Sequence, residues 1–381
     1  MRQPVGIRSL AVSLPSVVRT NDYWRNNYPE LVAQAEEKTL AKLFSSPASS
    51  PDINEFDLAM APYLKDPFRG TVERRVLGSG ESSLTLEYRA AREALAAAKL
   101  APEDVDLMLV ASLLPDQIGA GNAAFLAGQL GLQSPAWNIE SACSSAVVAF
   151  HNACALVRSG DYRNVLVVVS CTYSRLADEN DTLSWWVGDG AGAFVVSSLE
   201  PQQGILGTKI VHTAAMCNTF YCELAIDDQG DPRIRMRTGK GASKLVRETA
   251  ADYLHQCCDG AVAAAGVTLE QINFFVFATP LAWYASFCTQ TLGIDPDCTI
   301  NLYPQYANMG PALILVNLYH AAQAGKIREN DLVLLYTIGA SSTASATVMR
   351  WGDVALGQMP ISPLRAADLA SSLEEQIPTL R

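Results

Sequence analysis

The chain of 381 residues is 49% hydrophobic and 18% charged, enough apolar material for one large core or two fused ones of ordinary size. That composition excludes a disordered or fibrous protein. The net charge of −11 argues against a nucleic-acid backbone as the main partner, because such binding needs Lys and Arg to neutralise phosphates.

The N-terminus, Met1-Arg-Gln-Pro-Val-Gly-Ile7, opens with a short strand-like pattern and lacks the layout of a signal peptide. Apolar runs such as 165–169 stop well short of the roughly 18 to 20 residues that a membrane span requires. A soluble, cytoplasmic protein without a membrane partner is expected.

Residues 20–75 are polar, helical in pattern and broken by prolines, which reads as an insertion that covers an opening or packs against a partner. Helical, alanine-rich stretches follow at 83–100, 146–158, 242–265 and 312–324, the last two ending near Gly266 and Gly325. Between them lie short apolar runs at 106–112, 165–171, 192–196, 274–278 and 331–336, which suit strands buried on both faces. The alternation predicts an α/β fold. Beyond Trp351 the pattern fades into a tail with no catalytic role.

An internal repeat organises this pattern. The first half runs from a strand ending at Ser112 through Leu130-Gly131 and Cys143 to a helix closing at Gly160. The second runs from a strand ending at Thr279 through Leu292-Gly293 and Asn308 to a helix closing at Gly325. Two such units imply similar halves related by a pseudo-twofold axis, at 1–198 with the insertion and at 199–355, followed by the tail 356–381. Cys143 and Asn308 then match, each where a connection enters a helix, a common place for chemistry in α/β sheets.

The nine cysteines form no CxxC pair and lack neighbouring histidines at ligand spacing, so neither disulfides nor a metal site is expected. Each is by default a small buried apolar residue. Cys143 differs by its place, after a strand and before an alanine-rich helix. Unpaired N–H groups and the dipole at a helix start favour a thiolate, lowering the thiol from its free value of about 8.5. A thiolate there can accept an acyl group from a thioester.

From about Val72 to Trp351 the chain resembles the β-ketoacyl-acyl-carrier-protein synthase III branch of the thiolase superfamily. The resemblance rests on Leu130-Gly-Leu, Ala142-Cys-Ser-Ser-Ala146, Trp186-Val-Gly-Asp-Gly-Ala-Gly-Ala193, Tyr306-Ala-Asn-Met-Gly310, Gly325-Lys-Ile and Ile338-Gly-Ala-Ser-Ser-Thr through Arg350-Trp351. It implies a five-layered αβαβα thiolase fold and a homodimer formed across the first-half sheet. It also implies Cys143 as the acylated nucleophile, an oxyanion hole from the backbone N–H groups of Cys143 and Ala340, and a turn beside the site shaped by Gly188, Asp189, Gly190 and Gly192. No bound cofactor is implied; the substrate is an acyl-phosphopantetheine on acyl carrier protein, or acyl-CoA.

Condensing members of the family end the strand before the second Leu-Gly with a His-Gln-Ala-Asn run, whose histidine works with a later asparagine. Here that run reads Ala278-Thr-Pro-Leu281, while Asn308 remains. Alanine can neither stabilise a carbanion nor donate a hydrogen bond, which disfavours decarboxylative condensation. Of the four histidines, His151, His255 and His320 read as helix or surface residues. His212, at a strand end, is the candidate to assist an acceptor hydroxyl or amine, the alternative being a packing histidine.

Arg233, Arg235, Arg237, Lys240, Lys244 and Arg247 form either a carrier-binding patch, as the resemblance implies, or a solvated helix face. Trp283 stands where relatives place a basic carrier-contacting residue. The leading reading is an acyltransferase of specialised metabolism that passes an acyl group from Cys143 to a small-molecule acceptor, with Asn308 and His212 assisting. A ketosynthase with an atypical mechanism and an impaired partner subunit of an active homologue are the alternatives.

Overall fold

The computed structural model describes residues 3–45, 53–227, 229–340, 342–358 and 364–365. The expectation for the 356–381 tail lies mostly outside these residues. In chain order the first part comprises β1 (Val5–Ser13), β2 (Val17–Thr20), α1 (Asn21–Asn27), α2 (Pro29–Ser45), α3 (Glu55–Met60), β3 (Glu73–Val76), α4 (Ser83–Ala98), β4 (Leu107–Leu113), α5 (Ala123–Leu130), β5 (Ala136–Asn138), α6 (Ser145–Ser159), β6 (Val165–Thr172) and β7 (Asp189–Ser198). The second comprises β8 (Gly204–His212), β9 (Phe220–Ile226), β10 (Pro232–Thr238), α7 (Ala242–Ala265), β11 (Phe274–Phe277), α8 (Tyr284–Leu292), α9 (Tyr303–Tyr306), α10 (Leu313–Gln323), β12 (Leu332–Ile338), β13 (Thr343–Arg350) and β14 (Ala355–Leu356).

Two mixed sheets carry the fold, in the orders β14-β1-β7-β6-β4-β5 and β11-β12-β13-β8. They share one plan. In the first, β5, β4 and β6 run parallel, then β7 and β1 turn antiparallel. In the second, a parallel bridge from Thr299 to Phe275 takes the place of β5, β11 and β12 are parallel, and β13 and β8 are antiparallel.

The apolar runs do what their composition dictates: every residue of β6 is buried, as a strand covered on both faces requires. α6 lies between the sheets, touching β1, β4, β6 and β7 on one side and β8, β12 and β13 on the other. α10, buried from Leu313 through Tyr319, lies beside it; a helix apolar all round has no face for solvent. α4 and α7 cover the outer faces, α7 burying Ala250, Leu254, Cys257, Cys258 and Ala261 at helical spacing. The result is the five-layered αβαβα thiolase fold.

The insertion packs on its own chain. Trp24 joins Phe68 and Trp185 in a buried cluster, and the Arg74 guanidinium lies 4.3 Å over the Trp24 ring while donating to the Trp185 carbonyl. α3 packs on α8, where Phe56 meets Trp283 and Phe287 edge-on. Trp283, only 6% exposed between Phe56 and Tyr63, is therefore closed off from any carrier.

Glu87 on α4 is wholly buried and accepts from Ser112 and Ser170 in the sheet and from Asn122 before α5. Burial outweighs these bonds and pushes its carboxyl up to about 7. An acid raised in the folded state stabilises most below its ordinary value and loses that contribution as pH rises through the folded value. The stability of the wild-type chain to denaturant should thus fall between about pH 4.5 and 7. Glu87→Gln should flatten that decline; an equally steep profile in the variant would refute the assignment.

Candidate active site

Cys143 sits in a tight turn, Ala142–Ser144, that leads into α6. The turn is built with some strain. Ala142 adopts φ +49°, a left-handed conformation that a side-chain-bearing residue enters at a cost of about 1 kcal/mol or more. Glu140 offsets this by accepting from the Ala142 N–H at 2.5 Å and from the Ser145 hydroxyl at 3.3 Å.

A loop from the other half closes over the turn. The Ser141 hydroxyl meets that of Thr343 at 2.7 Å, and Ser144 donates to the Thr343 carbonyl at 2.6 Å. A methyl group on Gly339 would stand 3.0 Å from the Ser141 carbonyl oxygen, a tight approach of the two segments. Ala340 follows it in the turn. Its N–H has no acceptor among the described residues. Thr213 pins this loop from below, donating to the Gly339 carbonyl at 2.6 Å and accepting from the Ser342 N–H at 3.0 Å.

Asn308 enters the same place from the second half. Its side-chain oxygen accepts from the Gly310 N–H at 2.8 Å, and its backbone pairs with Val187. Gly310 opens a turn, Gly310–Ala312, that packs against the Cys143 turn and leads toward α10. The equivalent helix entries named from the repeat thus meet.

The sequence reading missed Tyr173. Its hydroxyl lies 3.5 Å from the Cys143 sulfur, the side-chain hydrogen bond to that sulfur among the described residues. The cue was available only as an aromatic residue just past the end of β6. Asp189 fixes the turn that carries it, accepting from the Ser174 N–H at 2.8 Å and hydroxyl at 2.5 Å while also taking the Leu77 N–H.

Burial pushes the Cys143 thiol above its ordinary value; the Tyr173 hydrogen bond opposes that and the Glu140 charge adds to it. This reverses the expectation of a thiol lowered by the helix start. The sulfur is hemmed in by protein, and desolvation of the charged form outweighs the helix.

His212 is exposed at the end of β8, opposite Thr343, and takes the Ala214 N–H at 3.4 Å. No hydrogen bond joins it to Cys143 or Asn308 among the described residues. His320 bonds the Tyr306 hydroxyl at 3.2 Å, and His255 lies on the surface beside Asp259. Among the described residues no group of His, Cys, Asp and Glu suits a metal ion.

Two further expectations need correction. Gly190 and Gly192 lie within β7 and shape no turn; a methyl group there would strike Met309 Sδ at 2.8 Å and Leu315 at 2.8 Å. They are gaps through which the Asn308 segment approaches. Nor is the basic cluster one free patch on a helix. Arg233, Arg235 and Arg237 alternate on β10 and pair with Asp227, Asp178 and Glu223, while Lys244 pairs with Glu248 and Arg247 with Asp57. Lys240 alone of the six has no ion pair among the described residues; it lines an open cavity of about 410 Å³ with Cys217, Tyr221 and Leu245.

A duplicated αβαβα core with a cysteine and an asparagine at the two central helix entries defines a thiolase-fold protein. Comparison with known proteins narrows this. Residues 137–226 and 262–351 match the two parts of 3-oxoacyl-[acyl-carrier-protein] synthase III, and 73–176 match the thiolase N-terminal domain. The β-ketoacyl-[acyl-carrier-protein] synthase III of Gloeobacter violaceus is 31% identical over 292 residues, covering 74% of this chain and 88% of that protein. The Chelativorans protein of the same name is 30% identical over 286 residues with the same coverage.

Among solved structures, the synthase III of Thermus thermophilus superposes with a TM-score of 0.73 at 26% identity, covering 91% of this chain and 99% of that one. Cerulenin-bound OleA of Xanthomonas campestris shares the fold with a TM-score of 0.72 at 18% identity, covering 92% and 98%. The chain belongs to the β-ketoacyl-[acyl-carrier-protein] synthase III family. No helix among the described residues is long and apolar enough to cross a membrane.

Thr213 is buried and serves two backbone groups of the loop over Cys143. Thr213→Val keeps the shape and leaves the Gly339 carbonyl and the Ser342 N–H only the longer bond they make to each other, 3.3 Å, a loss of about 1–3 kcal/mol. A lowered unfolding midpoint is expected, together with at least tenfold slower labelling of Cys143 by an acyl thioester; unchanged values for both would show that the loop does not depend on this residue.

Proposed function

We propose that the protein is an acyltransferase that takes an acyl group from an acyl-carrier-protein or CoA thioester onto Cys143 and passes it to a nucleophilic acceptor in specialised metabolism. The observation that carries this reading is the joining, at Cys143, of a helix entry, a hydroxyl partner and a loop from the other half whose Ala340 N–H has no acceptor among the described residues. Acylation needs chiefly those parts. The thiolate attacks the carbonyl carbon, the charge moves to oxygen, and the N–H groups of Cys143 and Ala340 receive it.

What weighs against carbon–carbon bond formation is Ala278, where condensing relatives carry histidine. It is buried, and its N–H is committed to the Tyr336 carbonyl at 2.9 Å. Neither it nor Thr279, which bonds Asn317, supplies an acid or base. The Asn308 amide nitrogen, without an acceptor among the described residues, is the group to orient the acyl carbonyl or the acceptor. His212, exposed at the rim, serves as base only where the acceptor bridges the gap.

For the carrier, Lys240 beside its open cavity is the cation left to meet a phosphate, and the paired arginines contribute little net charge. A homodimer across the β5 edge is supported by Ile118, Phe125 and Trp137, which are 76%, 46% and 40% exposed near that edge.

Intact-mass analysis after incubation with acyl thioesters tests the proposal. The expected outcome is an acyl adduct on the wild-type chain and none on Cys143→Ala. Absence of an adduct with every donor tried would favour a partner subunit. Carbon dioxide release with a β-keto product from malonyl thioesters would overturn the argument from Ala278.

A further inference from the structure

We infer that the Tyr173 hydroxyl is a catalytic hydrogen-bond donor to the Cys143 sulfur, holding the thiolate as it attacks an acyl thioester and again as it departs. This rests on the acyl-transfer reading and adds to it the group that stabilises the charged sulfur. The two atoms are 3.5 Å apart, within reach of a bond to sulfur. The hydroxyl has no freedom to swing away. Tyr173 is 8% exposed, Asp189 grips the next residue through two bonds, and Gly310 would place a methyl group 3.3 Å from its ring edge.

Its role as donor follows from its surroundings. Burial, with the charges of neighbouring thiols, pushes the Tyr173 phenol well above its ordinary value, which favours the protonated, donating form. Of the other titratable groups around the pair, Glu140 opposes a negative sulfur and none offers it a positive charge. Glu140 stands before the turn, Cys171 lies on β6 with Asp189 behind it, and Cys222 faces Tyr173 from β9. No cation bonds the sulfur among the described residues. Tyr173 is the larger counterweight, and the backbone N–H of Cys143 adds to it.

The step balances without a change at Tyr173. The bond from the acyl carbon to the donor sulfur breaks, the bond to Cys143 forms, and the proton lost by Cys143 ends on the departing donor thiol. When the acceptor attacks, its bond to the acyl carbon forms, the bond from that carbon to Cys143 breaks, the thiolate leaves toward the same hydroxyl, and the acceptor's proton returns to the Cys143 sulfur.

Alkylation by iodoacetamide across about pH 6 to 11, read by mass on the Cys143 peptide, tests this without any acyl donor. Tyr173→Phe should move the midpoint up by about one pH unit and slow alkylation at neutral pH about tenfold, ~1.4 kcal/mol. Glu140→Gln should move it down. An unchanged or lowered midpoint in Tyr173→Phe overturns the assignment, as does a wild-type Cys143 inert across the whole range. Should circular dichroism show Tyr173→Phe unfolded, Ser174→Ala, which frees the turn and keeps the ring, should raise the midpoint by a smaller step; no shift there also overturns it. A protein with the stated shifts but no acyl adduct loses the acyl-transfer reading alone.

Discussion

The close approach of the Gly310 backbone to Cys171 and Tyr173 is the contact on which the rest of the site depends. Gly310 has φ +50°, and a methyl group on it would lie 3.0 Å from Cys171 Sγ and 3.2 Å from Leu113. No larger residue fits without moving the core of the first half. Because it fits, the helix entry of the second half reaches the Cys143 turn. Gly188, Gly190 and Gly192 extend the same arrangement, receiving Tyr306, Met309 and Leu315 against β7. The glycine-rich run is thus a packing surface for the opposite half.

Duplication explains why chemistry collects here. Two units of the same strand order, each ending its parallel strands at a helix entry, bring those entries to the pseudo-twofold axis. The copies then diverge. One entry carries a thiol, the other a carboxamide whose oxygen already braces its own turn through Gly310. That brace leaves the amide nitrogen as the polar group Asn308 presents. The arrangement suits a site that must hold an uncharged carbonyl beside a nucleophile.

Much of this was legible in the chain because burial on both faces leaves a plain mark. The runs at 165–171 and 331–336 could only be covered strands, and the helices declared their ends through Gly160, Gly266 and Gly325. Cys143 was legible from its place before a helix. Tyr173 was not, because its contact with Cys143 joins residues 30 apart through the geometry of β6 and its following turn. The hairpin of β9 and β10 was obscured differently. Its arginines alternate with Ile234 and Met236, a strand pattern, yet the density of positive charge drew the reading toward a binding face. Their partners, including Asp178 on a distant loop, only the fold supplies.

The same burial that raises the Cys143 thiol also gives the site its selectivity for charge in motion. In a medium of low effective dielectric, a lone thiolate is costly, but a hydrogen bond to it is stronger than in water. In the acyl transfer proposed above, negative charge would pass from the Cys143 sulfur, beside Tyr173, to the carbonyl oxygen of the substrate. Donors fixed at both ends of that proposed path, the phenol at one and backbone N–H groups at the other, would not have to reorient as the charge moves. Water would have to. A thiol that holds its proton at rest, framed by rigid donors, is therefore less open to chance oxidation in the free protein and better matched to the transition state than to either end of the step.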